Sequence, residues 1–181
     1  MVRKKSLSWK SGRDGSDRYV LFDWGNTLMV DLPGSSGPMA SWPHVEAVPY
    51  ARETLEQLHA AGWHIALATN AADSDEVQIR SALARAGLND FIERIYCSRG
   101  IGHAKPSREF FAFIARDLAL QASDLVMVGD NFMIDVEGAI RAGIRAVWLC
   151  PGAMDVGNAE KWRAIRSLAE LPALLEAWSG R

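Results

Sequence analysis

The apolar run YVLF (19–22) stops on a lone carboxylate, Asp23, within the stretch VLFDWGNTL (20–28). Other apolar runs also give way to polar residues. HIALA (64–68) is followed by Thr69 and Asn70, and LVMV (125–128) by Gly129 and Asp130, with Asp135 a few residues on. Lys105 stands in GHAKP, after RIYCS (94–98). Three carboxylates, a hydroxyl and a lysine would make a distinctive set if one place held them all. Crowded carboxylates are costly unless a cation sits among them. Oxygen-only donors suit a hard ion, Mg²⁺ above all. A lysine and a threonine hydroxyl suit the oxygens of a phosphoryl group. A carboxylate can itself be the nucleophile, giving an aspartyl-phosphate.

The elements that must position these residues are legible from apolar patterning. YVLF, HIALA, RIYCS, LVMV and RAVWLC (145–150) are continuous rather than alternating, as in parallel strands covered on both faces. Helical patterns lie between them. Residues 49–61 open at Pro49, place Ala51, Leu55 and Leu58 on one face and close at Gly62. Residues 74–86 end at Gly87 and 133–142 at Gly143, while 106–119 turn Phe110, Phe111, Ile114 and Leu118 inward. The alternation predicts an α/β fold, a doubly wound Rossmann-like parallel sheet of about five strands with helices on both faces. After it, a short strand-like piece (164–167) precedes a closing helix. Ligands in such sheets bind at the carboxyl ends of the strands, the edge to which all the candidate residues belong.

The chain resembles the haloacid dehalogenase-like superfamily, with four motifs in order over roughly residues 19–178. FDWGNT matches a strand ending in Asp-x-Asp-x-Thr at Asp23 and Thr27. IALATN matches a strand ending in Thr or Ser at Thr69, KP supplies the lysine, Lys105, and VGDNFMID supplies Gly129, Asp130 and Asp135. The resemblance implies that Asp23 is nucleophile and metal ligand, and that Thr69 and Lys105, with Asn70 beside them, hold the phosphoryl group. It implies that Asp130 binds Mg²⁺ directly or through water, and that Asp135 supports the metal shell or Lys105. Asp135 as a helix N-terminal acid and Thr69 as a turn residue are the plain structural alternatives.

The sequence departs from the family's phosphatases at Gly25, where they carry the aspartate that protonates the leaving oxygen and then activates water. A general acid/base is worth about 10²–10⁴ in rate. Glycine still offers a carbonyl, which in the family is a metal ligand, so the expected metal set is Asp23, Gly25, Asp130 and Asp135. His103, His44 and Glu46 are candidates to replace the missing acid. Gly25→Asp is expected to restore turnover, provided that Gly25 does not need φ > 0. Segment 29–48, MVDLPGSSGPMASWPHVEAV, is a long loop following the nucleophile and reads as a lid. It is too short for an independent cap domain, so the expected member is capless or minimally capped. Trp24 packs either into the core or against substrate.

Composition bounds the rest. The 181 residues suffice for one domain, 18–181, and 49% apolar with 23% charged residues is ordinary for a globular chain. Residues 1–17 carry a basic excess and read as a solvated tail. A net charge of −2 gives no cue for nucleic acid, and no run is long enough to span a membrane. Cys97 and Cys150 each lie in an apolar run and are expected as buried free thiols, with a reducing cytoplasm the default. The resemblance thus implies a Mg²⁺-dependent phosphohydrolase working through phospho-Asp23 on a small phosphorylated substrate, or a larger one given an open site. A second copy of the chain could close that site. A catalytically silent binder of phosphorylated ligands and a haloacid dehalogenase are the alternatives.

Overall fold

The computed structural model describes residues 18–152 and 159–179. The N-terminal segment 1–17 lies outside them. Six parallel strands form one sheet: β1 Tyr19–Phe22, β2 His64–Thr69, β3 Arg94–Cys97, β4 Leu125–Gly129, β5 Arg145–Leu149 and β6 Trp162–Ile165. Their order is β3-β2-β1-β4-β5-β6, so β1 and β4 are central neighbours, with Tyr19 opposite Leu125 and Phe22 opposite Val128.

Alternation along the strands divides the core into two layers. Val20, Phe22, Ile65, Leu67, Val126 and Val128 face one way, against α1 (Ala51–Ala60), α2 (Glu76–Arg85) and α6 (Leu171–Ser179). Leu21, Ala66, Ala68, Leu125 and Met127 face the other way, against α4 (Arg108–Leu118) and α5 (Glu137–Arg141). A short helix, α3 (Ser98–Ile101), follows β3. Covering on both faces explains why the strands are continuously apolar. Ala51, Leu55, Leu58, Phe110, Phe111 and Ile114 are buried as expected, while Leu118, expected to face inward with them, is half-buried against the second layer.

Helix starts are fixed by side chains. Asp75 accepts from the Gln78 N–H in a capping box, and Ser107 accepts from the Phe110 N–H. Two sequence expectations shift. The sheet has six strands rather than about five, and the late strand is 162–165 rather than 164–167. It lies at the sheet edge, where Trp162, Arg163 and Ala164 are only half-buried, so no continuous apolar run marks it. Both cysteines are buried and free. Among the described residues no helix is long and apolar enough to cross a membrane.

Candidate active site

The central strands β1 and β4 end side by side, and the Asp23 N–H donates to the Val128 carbonyl (2.9 Å), which fixes Asp23 at that edge. Lys105 reaches it from the turn before α4. The Lys105 Nζ donates to Asp23 Oδ1 (2.6 Å) and Asp135 Oδ1 (2.7 Å), with the lysine side chain 1% exposed. Asn70 clamps the lysine's backbone. Its amide group donates to the Lys105 carbonyl (2.8 Å) and its Oδ1 accepts the Lys105 N–H (2.9 Å). Asn70, expected from sequence to face substrate, thus orients the residue that would hold the phosphoryl group.

Asp135 sits on a π-helical turn, Phe132–Val136. Its second oxygen accepts the Asn131 N–H (3.1 Å). A Cβ on Gly129 would lie 2.2 Å from that Oδ2, so glycine there makes room for the carboxylate. Burial raises the Asp135 pKa to about 6, against the pull of Lys105 and with a further push from Asp23. Asp130 is raised too, by burial first and then by Asp23. Its Oδ1 accepts a long hydrogen bond from the buried Thr27 hydroxyl (3.5 Å), and its carbonyl accepts the Trp148 indole N–H (2.9 Å). The Thr69 hydroxyl accepts the Ala71 N–H (3.2 Å), which leaves its proton to donate.

One oxygen from each of Asp23, Asp130 and Asp135 can be taken so that all lie within 4.8 Å of one another. Five aspartates and a single lysine line the surrounding cleft of about 410 Å³, a surplus of negative charge that one ammonium cannot balance. An all-oxygen donor set with that surplus fits a hard divalent cation.

The sequence-derived residues Asp23, Gly25, Thr69, Asn70, Lys105, Asp130 and Asp135 all line this one cleft. His44, Glu46 and His103 do not. His44 is exposed and 4.0 Å from Glu46, and His103 is exposed on its own loop. Trp24 is buried in the core yet borders the cleft, and its indole N–H has no partner among the described residues. Segment 29–48 contributes Asp31, Gly37, Met39 and Trp42 to the lining. Arg85 of α2 fastens it by donating to the carbonyls of Ala40 (3.0 Å), Trp42 (2.8 Å) and Pro43 (3.1 Å).

Sequence reasoning passed over Asp31. Its backbone N–H donates to Asn26 Oδ1 (3.1 Å), and burial and then Asp23 raise its pKa. Gly25 does not have positive φ, so the feared backbone strain is absent. The obstacle to a side chain there is Asp31 itself, whose Oδ2 would lie 2.4 Å from a Cβ on residue 25. The available signal was a second acid eight residues after Asp23, in the loop that follows it.

Residues 37–143, more than half of the chain, match the haloacid dehalogenase-like hydrolase family. The ribulose-1,5-bisphosphate 5-phosphatase of Halopiger xanaduensis is 36% identical over 143 residues, which cover 75% of this chain and 59% of that protein. The chain therefore spans about three fifths of the length of that relative. A crystal structure of an uncharacterized protein from Listeria monocytogenes serotype 4b is similar with a TM-score of 0.78 at 29% identity, over 91% of this chain and 99% of that one. A phosphatase structure from Thermococcus onnurineus gives a TM-score of 0.62 at 28% identity, over 72% and 59% of the respective chains.

Proposed function

The chain belongs to the haloacid dehalogenase-like hydrolase family, and we propose that it is a Mg²⁺-dependent phosphohydrolase acting through a phospho-Asp23 intermediate. The observation that carries this reading is the buried Lys105 ammonium held between Asp23 and Asp135, beside a further carboxylate, Asp130, that no ammonium among the described residues pairs. The curated relative named a ribulose-1,5-bisphosphate 5-phosphatase and the Thermococcus phosphatase support it.

Asp23, the Gly25 carbonyl and Asp130 would hold the ion, with Asp135 adding charge while its own oxygens bind Lys105 and the Asn131 N–H. When bound, Mg²⁺ supplies positive charge to the phosphoryl oxygens and relieves the repulsion among the aspartates. The chain's own residues do the rest. Lys105 keeps the Asp23 carboxylate aimed for attack on phosphorus, with Asn70 holding the lysine in place. The Thr69 hydroxyl and the ammonium donate to the transferring oxygens, where charge develops. Segment 29–48 lends Asp31, Gly37, Met39 and Trp42 to the cleft wall without forming a separate cap domain, which favours esters with bulky alcohol portions as well as small ones. Two buried free thiols suit a reducing cytoplasm.

The test is hydrolysis of an aryl phosphate by the purified chain with Mg²⁺ and with a chelator, beside Asp23→Asn. Turnover that needs both the metal and Asp23 supports the reading. Metal-dependent binding of phosphate without turnover would replace it with a silent phosphate-binding module.

A further inference from the structure

Position 25 leaves open which group protonates the leaving alcohol. We infer that Asp31 is the general acid and base of this site, holding its carboxylate where the side chain of residue 25 would otherwise stand. The inference rests on the phosphohydrolase reading. A Cβ built on Gly25 would meet Asp31 Oδ2 at 2.4 Å and Cγ at 2.9 Å. Gly25 and Asp31 therefore form one unit. The glycine vacates the space beside the nucleophile, and the chain returns six residues later to fill it with a carboxylate.

The return is built into the backbone. Asn26 takes a left-handed conformation (φ 51°), which asparagine tolerates better than most residues. The N–H groups of Leu28 and Met29 fold back onto the Trp24 carbonyl (3.0 and 2.9 Å). Asn26 Oδ1 then receives the Asp31 N–H (3.1 Å). On the far side, the Val30 N–H donates to the Glu46 carbonyl and the Val48 N–H to the Leu28 carbonyl, both at 2.9 Å, and Met29 is fully buried. Position 31 is thus fixed from both directions. Its side chain stays exposed at the cleft, open to the leaving group and to water. His44, Glu46 and His103 have no such placement.

In the first half-reaction an Asp23 oxygen forms a bond to phosphorus, and the bond from phosphorus to the leaving oxygen breaks. The electron pair goes to that oxygen, which takes a proton from the Asp31 carboxyl and departs as an alcohol. In the second, the Asp31 carboxylate takes a proton from water as the water oxygen bonds to phosphorus. The bond from phosphorus to the Asp23 oxygen breaks, inorganic phosphate leaves, and both aspartates return to their starting states.

The experiment compares kcat/KM for an activated ester, para-nitrophenyl phosphate, with that for an alkyl ester of similar size, phenethyl phosphate. Wild type, Asp31→Asn, Asp31→Ser and the double variant Gly25→Asp/Asp31→Ala are measured with Mg²⁺. Loss of a general acid should lower the alkyl-to-aryl ratio by about 10²–10⁴ in both single variants, because an alkoxide leaves poorly without a proton. The single variants should also release a burst of nitrophenol near one equivalent, since phospho-Asp23 then waits for unassisted water. The double variant, with its carboxylate carried on residue 25, should recover part of the alkyl activity. A purely structural role for Asp31 would lower both esters together and leave the ratio alone. An unchanged ratio, within about threefold, in an active enzyme overturns the inference and leaves the phosphohydrolase reading standing. Wild-type protein with no Asp23-dependent turnover of either ester overturns both.

Discussion

Lys105→Met is the perturbation whose consequence the structure makes most definite. The lysine side chain is 1% exposed and its Asp135 partner 2%, and a hydrogen bond of 2.7 Å joins them. Methionine keeps much of the volume, so the main change is electrostatic. Removing one member of a buried ion pair leaves the other charge uncompensated and costs about 3–5 kcal/mol. For a chain of this size each kcal/mol moves Tm by about 2–4 °C, so the variant should melt about 6–20 °C lower. Asp135 already titrates near 6 with the ammonium beside it, and without that ammonium its pKa rises further. The destabilisation should therefore be larger at pH 8, where the orphaned carboxylate is ionised, than at pH 5, where it is protonated. Urea unfolding at both pH values measures this. Asp135→Asn and the double variant complete a cycle, and a coupling energy of about 1–3 kcal/mol is expected for a pair in direct contact. Effects of the two substitutions that simply add, within about 0.5 kcal/mol, would refute the claim that the ammonium and the Asp135 carboxylate stabilise each other.

Other expectations follow from the same geometry. Mg²⁺ should raise the Tm of the wild type, because a ligand bound to the native state stabilises it, and Asp130→Ala should abolish that response in a thermal-shift assay. In chelator the wild type should lose stability as pH rises. Asp135 is raised from 3.8 to about 6 by folding, so its contribution is complete below the lower value and lost as pH climbs through the upper. Between pH 5 and 7.5 this amounts to about 1 kcal/mol, and denaturant titrations of Asp135→Asn should show the decline removed. Gly25→Asp alone should give no gain in turnover, since the new side chain competes with Asp31 for one space. A gain of about 10² or more in steady-state hydrolysis would show that position 25, rather than position 31, is where the acid belongs.

What could be read from the sequence follows from where each signal is local. The four inner strands announce themselves because burial on both faces makes them continuously apolar, a property of each segment alone, and the edge strand β3 is marked by its buried Tyr96 and Cys97. The sixth does not, because an edge strand with half-buried Trp162, Arg163 and Ala164 carries little apolar pattern. Asp23, Thr69, Lys105 and Asp130 follow from their places beyond strand ends or in one short motif, and their convergence follows from parallel strands sharing a carboxyl edge. Asn70 and Asp135 were found as residues, yet their principal contacts, the lysine backbone and the lysine ammonium, join segments 35 and 30 positions apart. The relation of Asp31 to Gly25 is of a third kind. It depends on a left-handed Asn26, a turn closed on Trp24 and a tether to 46–48, each weakly marked in the sequence and effective only together. Read by motif, Gly25 is a missing carboxylate. In three dimensions it is the absence of a side chain that lets another carboxylate in, so any residue larger than glycine at position 25 should require a change at position 31 as well.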